Sequence, residues 1–308
     1  MRLDAIRYGA RNINLYHFVP VSGGPLPAAE PGAHIDLRIG EGLTRQYSLI
    51  NAGDAPGEYV IAVQKDERGR GGSKAFHTAS IVGEEYLISP PRNHFALTSR
   101  GSPTFLFAGG IGITPLFNMY RSLKRDGHPV TLYYWARTAA DFLFYDELRA
   151  AEDVHLIATD PDPARVALLN DVIPAIADDA HLYCCGPAGM LAAFDAACAG
   201  RRGELIHQER FAAKDIAPGT GTFEVRLARF GKTIVVDPDT SILQACLEAG
   251  ADVSYSCEEG VCGACEVRVL AGKVVHNDTV RSASAHDAEG TMMICCSRAA
   301  GASLTLDV

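Results

Sequence analysis

The stretch 256-SCEEGVCGAC-265 brings three cysteines into ten residues, with four residues between Cys257 and Cys262 and two between Cys262 and Cys265. A disulfide within this loop would leave one thiol unpaired, and packing alone does not require three cysteines in a loop punctuated by glycines. The stretch therefore indicates a bound metal ion or cluster, and it predicts that the C-terminal part of the chain folds around this site.

The spacing favours an iron–sulfur cluster over zinc. Zinc sites usually pair two short-spaced cysteine motifs, and the second motif is missing here. The plant-type [2Fe–2S] pattern is C-x4-C-x2-C with a distant fourth cysteine, and Cys295 follows Cys265 after 29 intervening residues. Because thiolates are soft ligands suited to iron–sulfide, we predict one [2Fe–2S] cluster on Cys257, Cys262, Cys265 and Cys295.

The glycines of the loop fit the same interpretation, because Gly260 and Gly263 let the backbone wrap closely and direct N–H groups at the cluster sulfurs. Two further cysteines are predicted to be core thiols. Cys296 adjoins the fourth ligand, and on a strand its side chain would point away from the cluster. Cys246 lies in a predicted helix with apolar neighbours.

Composition limits the classes of function. The chain has 308 residues and a formal net charge of −9, and it has no basic stretch typical of nucleic-acid binding. We find no signal peptide and no apolar run long enough to span a membrane. All nine cysteines lie after residue 183, and an odd count without an export signal favours a reducing compartment. We expect a cytoplasmic monomer without nucleic-acid or membrane partners.

The sequence divides into three segments and a linker. Residues 1–100 read as short antiparallel strands between turn clusters, with Tyr59, Ile61 and Val63 on one face of a strand, and predict a small β-barrel. Residues 101–212 alternate strands with helices, the pattern of a parallel α/β sheet. Residues 213–222 are rich in glycine and predict a linker. Residues 223–308 predict a hairpin, a helix ended by Gly250, the cysteine loop and short strands.

Three helices of the second segment are predicted in particular. One follows Thr114, which suits the N-cap, and ends at Gly127. The stretches "DFLFYDELRAA" (141–151) and "RVALLNDVIPAI" (165–176) predict two more.

Two kinds of cofactor motif precede the cysteine loop. In the barrel, "TRQYSLIN" (44–51) offers an arginine for a phosphate and a tyrosine ring for a flat ligand, and Gly71-Gly72-Ser73 suits a phosphate-cradling turn. In the α/β segment, "AGGIGITP" (108–115) joins a buried strand to a helix N-terminus, where a pyrophosphate binds, and "YCCGPAGM" (183–190) repeats this arrangement. Taken alone, each motif is also compatible with surface decoration or a tight turn.

Together, in this order, these motifs resemble the phthalate dioxygenase reductase and vanillate O-demethylase reductase family over nearly the whole chain. The resemblance implies an FMN-binding barrel, an NADH-binding α/β domain and a β-grasp ferredoxin domain. It implies that FMN contacts Arg45, Tyr47, Ser48, Ala62, Val63, Gly72 and Ser73. It implies that the nucleotide contacts Gly110, Gly112, Thr114, Pro115, Cys185, Gly186 and Pro187. Hydride transfer would be positioned by Ser48, Cys185 and Phe211, without a catalytic acid or base.

The sequence departs from the family pattern at three positions. Gln64 replaces a lysine that follows the equivalent Ala-Val pair in the best-known relative, which puts one flavin contact in doubt. Glu259 and Val261 replace smaller polar residues in the cysteine loop, and these changes bear on the cluster potential or the choice of partner.

The implied function is an NADH-dependent reductase that passes electrons from NADH to FMN, to [2Fe–2S] and then to a Rieske-type aromatic oxygenase or O-demethylase. One alternative is the reductase arm of a hydroxylase with a different metal centre. Another is a non-enzymatic electron carrier or redox sensor, against which the intact flavin and nucleotide motifs argue.

NADH is predicted over NADPH. Asp141, Asp160 and Asp162 make the stretch that follows the early strands of the α/β segment acidic, which disfavours a 2′-phosphate. Arg137 and Arg165 are the two residues able to oppose this preference.

Overall fold

The architecture is that of a computed structural model, which describes residues 1–40, 43–51, 53, 56–67, 71–98, 101–211 and 221–308. The chain divides into two compact units, Met1–Glu209 and Arg210–Val308. Of the predicted linker 213–222, only Gly221 and Thr222 belong to the described residues. No helix in the described ranges is both long enough and apolar enough to cross a bilayer.

The first hundred residues form antiparallel sheet and one helix. The elements are β1 (Arg2–Ala10), β2 (Ile13–Val19), β3 (His34–Gly40), β4 (Leu43–Ser48), β5 (Tyr59–Gln64) and α1 (Gly72–Ala79). The sheet β1-β2-β5 and the hairpin β3-β4 are joined where Leu49 bridges Ile61. Asn12 adopts a φ of 61° in the β1-β2 turn, a conformation that asparagine tolerates.

The predicted alternation along β5 is confirmed, since Tyr59, Ile61 and Val63 lie in the core of the barrel. Ala62 points the other way and packs in a second core together with Ala10, Ile13 and residues of the α/β segment. Both faces of β5 are therefore buried, and the barrel shares a core with the α/β segment.

The second part of the first unit alternates strands with helices, as predicted. Its strands are β6 (Thr104–Gly109), β7 (Val130–Ala136), β8 (Val154–Ala158), β9 (His181–Cys185) and β10 (Ile206–Glu209). Its helices are α2 (Ile113–Arg125), α3 (Tyr145–Leu148), α4 (Leu169–Val172) and α5 (Ala188–Ala197), and 3-10 turns cover Gly110–Gly112, Ala139–Asp141, Pro163–Leu168, Ile173–Ala175 and Gly203–Leu205.

The five strands form a parallel sheet in the order β10-β9-β6-β7-β8. The chain runs outward from β6 to β8 and then returns to the other side of β6 as β9. The strand order therefore reverses between β6 and β9, and ligands of open α/β sheets bind beyond the carboxyl ends of the strands at such a point.

The predicted helices need three corrections. The helix expected after Thr114 begins at Ile113 with Gly112 as its N-cap, and the Thr114 hydroxyl donates to the Ile111 carbonyl oxygen at 3.0 Å instead of capping. The helix predicted over 141–151 is only Tyr145–Leu148, because Phe144 takes a φ of 61° and breaks the helical path. The helix predicted over 165–176 contains one α-helical turn between 3-10 segments, since Pro174 interrupts helical bonding.

The described residues of the second unit form a mixed sheet and two helices. Its elements are β11 (Phe223–Leu227), β12 (Lys232–Val236), α6 (Ile242–Glu248), β13 (Glu266–Ala271), β14 (Val274–Val275), α7 (Ala283–Glu289), β15 (Thr291–Met293), β16 (Arg298–Ala299) and β17 (Ser303–Leu306). The sheet order is β12-β11-β17-β13-β15, with β11 and β17 parallel. Gly250, at a φ of 83°, follows α6 as predicted. This is a β-grasp arrangement, and it confirms the predicted three-part fold class.

Candidate functional site

The four predicted ligand cysteines lie together in the second unit as two contacting pairs. Cys262 hydrogen-bonds Cys257, and Cys265 hydrogen-bonds Cys295. All four are buried and none forms a disulfide. The hydrogen bond from the Cys262 thiol lowers the pKa of Cys257 to about 7. Two pairs of soft ligands match a cluster of two irons, each of which needs two protein thiolates.

The backbone of the cluster loop, residues 257–265, turns back on its own sulfurs. The Glu259 N–H donates to Cys257 Sγ at 3.3 Å and the Ala264 N–H to Cys262 Sγ at 3.5 Å. Glu258, Gly260 and Gly263 all take positive φ values, a backbone path that glycine follows without strain. Such N–H donors stabilise thiolate charge, so the loop fits a [2Fe–2S] cluster.

Cys296 is buried as predicted, but the reason given for its direction was wrong. The residue belongs to a turn after β15 and not to a strand. Its Sγ would lie 2.6 Å from a Cβ placed on Gly260. Cys296 therefore packs directly on the cluster loop, and this contact leaves no room for a side chain at position 260.

In the barrel, the structure brings the predicted phosphate ligands together. A Cβ on Gly72 would lie 3.0 Å from Arg45 Nε, so the arginine on β4 lies against the first residue of α1. Arg45 Nη1 donates to the Thr44 carbonyl oxygen at 2.8 Å, and Ser73 Oγ accepts the Asp66 N–H at 3.1 Å. A guanidinium beside a helix N-terminus is a suitable phosphate site.

The other residues of the RQYS motif offer an apolar face and one buried hydroxyl. Burial raises the pKa of Tyr47, and its ring stacks on Phe76 at 6.5 Å between centroids. Ser48 Oγ is buried without a hydrogen-bond partner among the described residues. Because an unsatisfied buried hydroxyl is costly, this atom fits a ligand that supplies the missing partner.

Ala62 and Val63 lie beside each other on β5 but face opposite sides, so their side chains belong to different cores. The Val63 carbonyl oxygen is 2.8 Å from His77 Nε2. The contact of both residues with a flavin remains a prediction.

The two glycine motifs of the α/β segment pack against each other at the strand-order reversal. A Cβ on Gly112 would lie 2.2 Å from the Cys185 carbonyl oxygen, and one on Gly109 would lie 2.7 Å from Pro187 Cδ. Gly110 has a φ of 54° with open space around it. The loops after β6 and β9 therefore form one concave edge beside the N-terminus of α2, with Pro115 in its first turn.

This edge is also tied to the barrel. Asn118 on α2 is buried and donates through Nδ2 to the Leu49 carbonyl oxygen at 3.3 Å. Leu49 directly follows Ser48 of the RQYS motif (residues 45–48). The hydrogen bond therefore links the concave edge formed by the loops after β6 and β9 to this motif. This contact could not be predicted from the sequence, because an asparagine in a helix usually faces solvent.

Cys185 and Glu209 face each other in register at the carboxyl ends of β9 and β10. Burial, followed by the Glu209 carboxylate and then Cys184, holds the pKa of Cys185 well above its usual value. Cys185 is therefore a neutral thiol. Burial raises the pKa of Glu209 to about 8, and its Oε2 has no hydrogen-bond partner among the described residues. Sequence reasoning missed Glu209, because an acid after the polar residues His207 and Gln208 carries no signal of burial.

The remaining predicted residues are placed as follows. Phe211 is 44% exposed and belongs to the second unit, so its contact with a flavin remains a prediction. Asp141 caps its own 3-10 turn and lies 3.7 Å from Arg11. Arg165 Nη1 donates to the Ala158 carbonyl oxygen at 2.8 Å, at the end of β8.

Replacing Glu209 with glutamine should change how stability depends on pH. Between its ordinary pKa of 4.5 and about 8, the folded chain keeps a proton that the unfolded chain has lost. The contribution of this group to the free energy of unfolding therefore falls as pH rises through that window, and is lowest above it. We expect Glu209→Gln to gain stability relative to the wild type as pH rises from 5 to about 8, measured as urea midpoints.

Glu204→Gln serves as the control, since Glu204 is exposed and paired with Arg202. A difference between Glu209→Gln and the wild type that stays constant across this pH range would contradict the raised pKa.

Comparisons with known proteins cover both units. The 2Fe-2S iron-sulfur cluster binding domain family matches residues 225–300, and the oxidoreductase NAD-binding domain family matches residues 106–196. The cluster loop lies inside the first match, and both glycine motifs lie inside the second.

Relatives resemble the chain over its whole length. The phenoxybenzoate dioxygenase subunit beta of Ectopseudomonas oleovorans is 42% identical over 100% of this chain and 97% of its own. The structure of phthalate dioxygenase reductase, described as a modular structure for electron transfer from pyridine nucleotides to [2Fe-2S], is 34% identical with a TM-score of 0.73, covering 100% and 97%. An intact type IV self-sufficient cytochrome P450 monooxygenase is 35% identical with a TM-score of 0.90, covering 100% of this chain and 40% of that one.

Proposed function

The chain belongs to the phthalate dioxygenase reductase family, and from this premise we propose that it is the NADH-dependent reductase of a Rieske-type aromatic oxygenase or O-demethylase. The observation that carries the proposal is the pairing of Cys257 with Cys262 and of Cys265 with Cys295, in a chain that also has a nucleotide edge. A two-iron cluster gives single electrons to a protein partner, and a nucleotide edge gives access to a two-electron donor.

FMN is the proposed flavin, because it accepts a hydride and releases electrons singly when bound. Arg45, with Gly72 and Ser73 at the start of α1, would hold its phosphate. Tyr47 and Ser48 would contact the ring, with Ala62 and Val63 on the adjacent strand. The buried, unpartnered Ser48 hydroxyl supports this placement.

The nucleotide is proposed to lie along the edge formed by Gly110, Gly112, Thr114 and Pro115. Cys185, Gly186 and Pro187 would then border its nicotinamide. Ser48, Cys185 and Phe211 are proposed to orient the two rings. Neither a general acid nor a general base is needed, because a hydride transfer between two cofactors moves no separate proton.

The wider biology follows from the same proposal. The partner is a terminal oxygenase, the proposed location is the cytoplasm, and the chain is proposed to act as a monomer. The proposed domain bounds are 1–100, 101–212 and 223–308, with a linker at 213–222. All nine cysteines belong to the described residues and none forms a disulfide, which supports a reducing compartment.

A second function is favoured by one specific observation. The structural match to the self-sufficient cytochrome P450 monooxygenase covers this whole chain at a TM-score of 0.90. A haem monooxygenase is therefore the alternative partner.

The function is tested with the purified chain under anaerobic conditions. NADH should bleach the visible absorbance of the cluster, and chromatography of the heat-released flavin should identify FMN. Adding a Rieske oxygenase or a cytochrome P450 to the reduced chain then decides the partner class by which of the two is reduced. FAD as the main flavin, or a chain that NADH does not reduce, would refute the proposal.

NADH should be preferred over NADPH by at least about tenfold in kcat/KM, which is roughly 1.4 kcal/mol of transition-state discrimination. The 2′-phosphate would approach an acidic stretch that contains Asp160 and Asp162, while Arg165 is held on the Ala158 carbonyl oxygen. Steady-state reduction of an artificial acceptor measures both values.

Arg165→Ala is the informative variant for this preference. In this variant, the ratio of kcat/KM for NADH to kcat/KM for NADPH should stay within about twofold of the wild-type ratio. If Arg165 reads the phosphate instead, its loss will lower kcat/KM for NADPH alone, and the proposed preference will fail.

A further inference from the structure

Next to the cluster loop lies a buried polar cluster that the family comparison does not assign. The brace segment, residues 276–279 (HNDT), contacts both ligand-bearing parts of the second unit. The Thr279 N–H donates to the Gly260 carbonyl oxygen at 2.8 Å, and the Thr279 hydroxyl donates to the same oxygen at 3.3 Å. Asn277 Nδ2 donates to the Cys296 carbonyl oxygen at 3.0 Å.

The brace segment also occupies the space that a side chain at position 260 would need. A Cβ on Gly260 would lie 3.1 Å from Asp278 Cα, so the loop and the segment are in backbone contact. Gly260 lies between the ligands Cys257 and Cys262, and Cys296 follows the ligand Cys295. The segment therefore fixes the two ends of the ligand set relative to each other.

Asp278 is held in turn by His286 on α7. Both side chains are fully buried, and His286 Nε2 hydrogen-bonds Asp278 Oδ2 at 3.2 Å, with Oδ1 at 3.1 Å. His286 Nδ1 lies 2.8 Å from the hydroxyl of Thr291, the first residue of β15, which leads to Cys295. One tautomer of the ring satisfies both contacts, with Nε2 donating to the carboxylate and Nδ1 accepting from the hydroxyl.

The Asp278 carboxylate also fixes the backbone that follows it, since Oδ2 accepts the N–H groups of Val280 and Arg281, each at 3.1 Å. Burying a carboxylate is costly unless it has such hydrogen-bond partners. The histidine thus links the carboxylate, the brace segment and β15 in one hydrogen-bonded chain.

His276, Asp278 and His286 have the donor types of a metal site, and their ligand atoms lie within 4.8 Å of one another. The ring geometry argues against a shared ion. The two imidazoles are stacked 4.7 Å apart with planes only 5° from parallel, so lone pairs in those planes run side by side and do not converge. Both nitrogens of His286 are also engaged already.

We propose that Asp278 and His286 are positioning residues that hold the cluster loop through the Thr279–Gly260 contact and thereby set the reduction potential of the cluster. The inference rests on the proposed function, in which residues 257–265 hold that cluster. If the brace loosens, the N–H groups of the loop turn away from the sulfurs and stabilise the more negative reduced cluster less. Loss of the brace should therefore lower the potential.

His286→Leu is the principal test. We expect the equilibrium constant for one-electron reduction of the cluster to fall about tenfold, which is about 59 mV, in an anaerobic redox titration followed by electron paramagnetic resonance. Release of iron to a chelator should be about tenfold faster, because loop opening precedes ligand loss. His286→Gln should restore most of the potential, since its amide N–H reaches toward Asp278.

Val236→Ala is the matched control for general destabilisation. Val236 is fully buried on β12, the edge strand opposite β15, so its truncation loosens the core without touching the brace. Thr279→Val covers the case in which His286→Leu does not fold. It removes only the hydroxyl contact with Gly260, and we expect a smaller shift of the potential in the same direction.

The outcomes separate the two proposals. A wild-type chain without a two-iron cluster would overturn the proposed function and the brace together. A wild-type chain that holds the cluster, with variants that keep its potential, would overturn the brace alone. An equal shift in Val236→Ala would also overturn it, because the effect would then follow from lost stability.

Discussion

Cys295→Ala should reduce the iron and acid-labile sulfide of the protein from about two of each per chain to near zero, and should abolish the visible absorbance of the cluster. Cys295 contributes half of the Cys265–Cys295 pair, so its loss leaves the second iron with one protein thiolate. Metal analysis and the visible spectrum of the anaerobically reconstituted protein measure this effect.

The controls for this substitution are the adjacent Cys296→Ala and the distant Cys246→Ala. Cys296 packs on Gly260 through its Sγ, and Cys246 is a buried thiol on α6 whose pKa burial raises to about 11. Both variants should retain about two irons per chain. If Cys295→Ala keeps the wild-type spectrum while Cys296→Ala loses it, the fourth ligand has been assigned to the wrong cysteine.

Arg45→Ala should weaken FMN binding about a hundredfold. Hydrogen bonds to charged groups contribute about 1.5 to 3 kcal/mol, and 2.7 kcal/mol corresponds to about a hundredfold in Kd. The arginine lies against Gly72 at the start of α1, where the helix dipole alone would remain to hold the phosphate. Quenching of free FMN fluorescence by the apoprotein gives both dissociation constants.

Riboflavin provides the matched ligand control, because it lacks the phosphate. The wild type and Arg45→Ala should bind riboflavin with equal affinity, and Arg7→Ala, at an exposed position on β1, should bind FMN like the wild type. Equal losses for FMN and riboflavin would mean that Arg45 supports the barrel and does not contact the phosphate.

The local sequence determined most of the elements and predicted the four cysteines that the structure brings together. The spacing of the cysteines can be read directly from the sequence. In a loop with four and then two intervening residues, the thiols can converge on one cluster only when glycines such as Gly260 turn the backbone. A buried strand face could be predicted from Tyr59, Ile61 and Val63, because successive side chains of a strand point to opposite faces. The glycine motifs likewise predicted the turns between strands and helices.

Other features depended on contacts between residues far apart in the sequence. The stretch 141–151 has helical periodicity, but Phe144 adopts a left-handed conformation in packing on Phe117, with the ring centroids 3.7 Å apart, and the helix shortens. Cys296 belongs to a turn and not to a strand, so the direction of its side chain could not be predicted from the alternation of side chains along a strand.

Burial of polar groups was decided entirely by the tertiary structure. Glu209, Asp278 and His286 read as ordinary surface residues, because acids and histidines in a sequence are most often solvated. Asp278 and His286 are fully buried together, and the raised pKa of Glu209 arises from burial. The sequence by itself determined the spacing of the cysteines and the positions of the tight turns. Only the packing of distant segments decided which charges leave water, since the cost of burying a charge depends on what surrounds it.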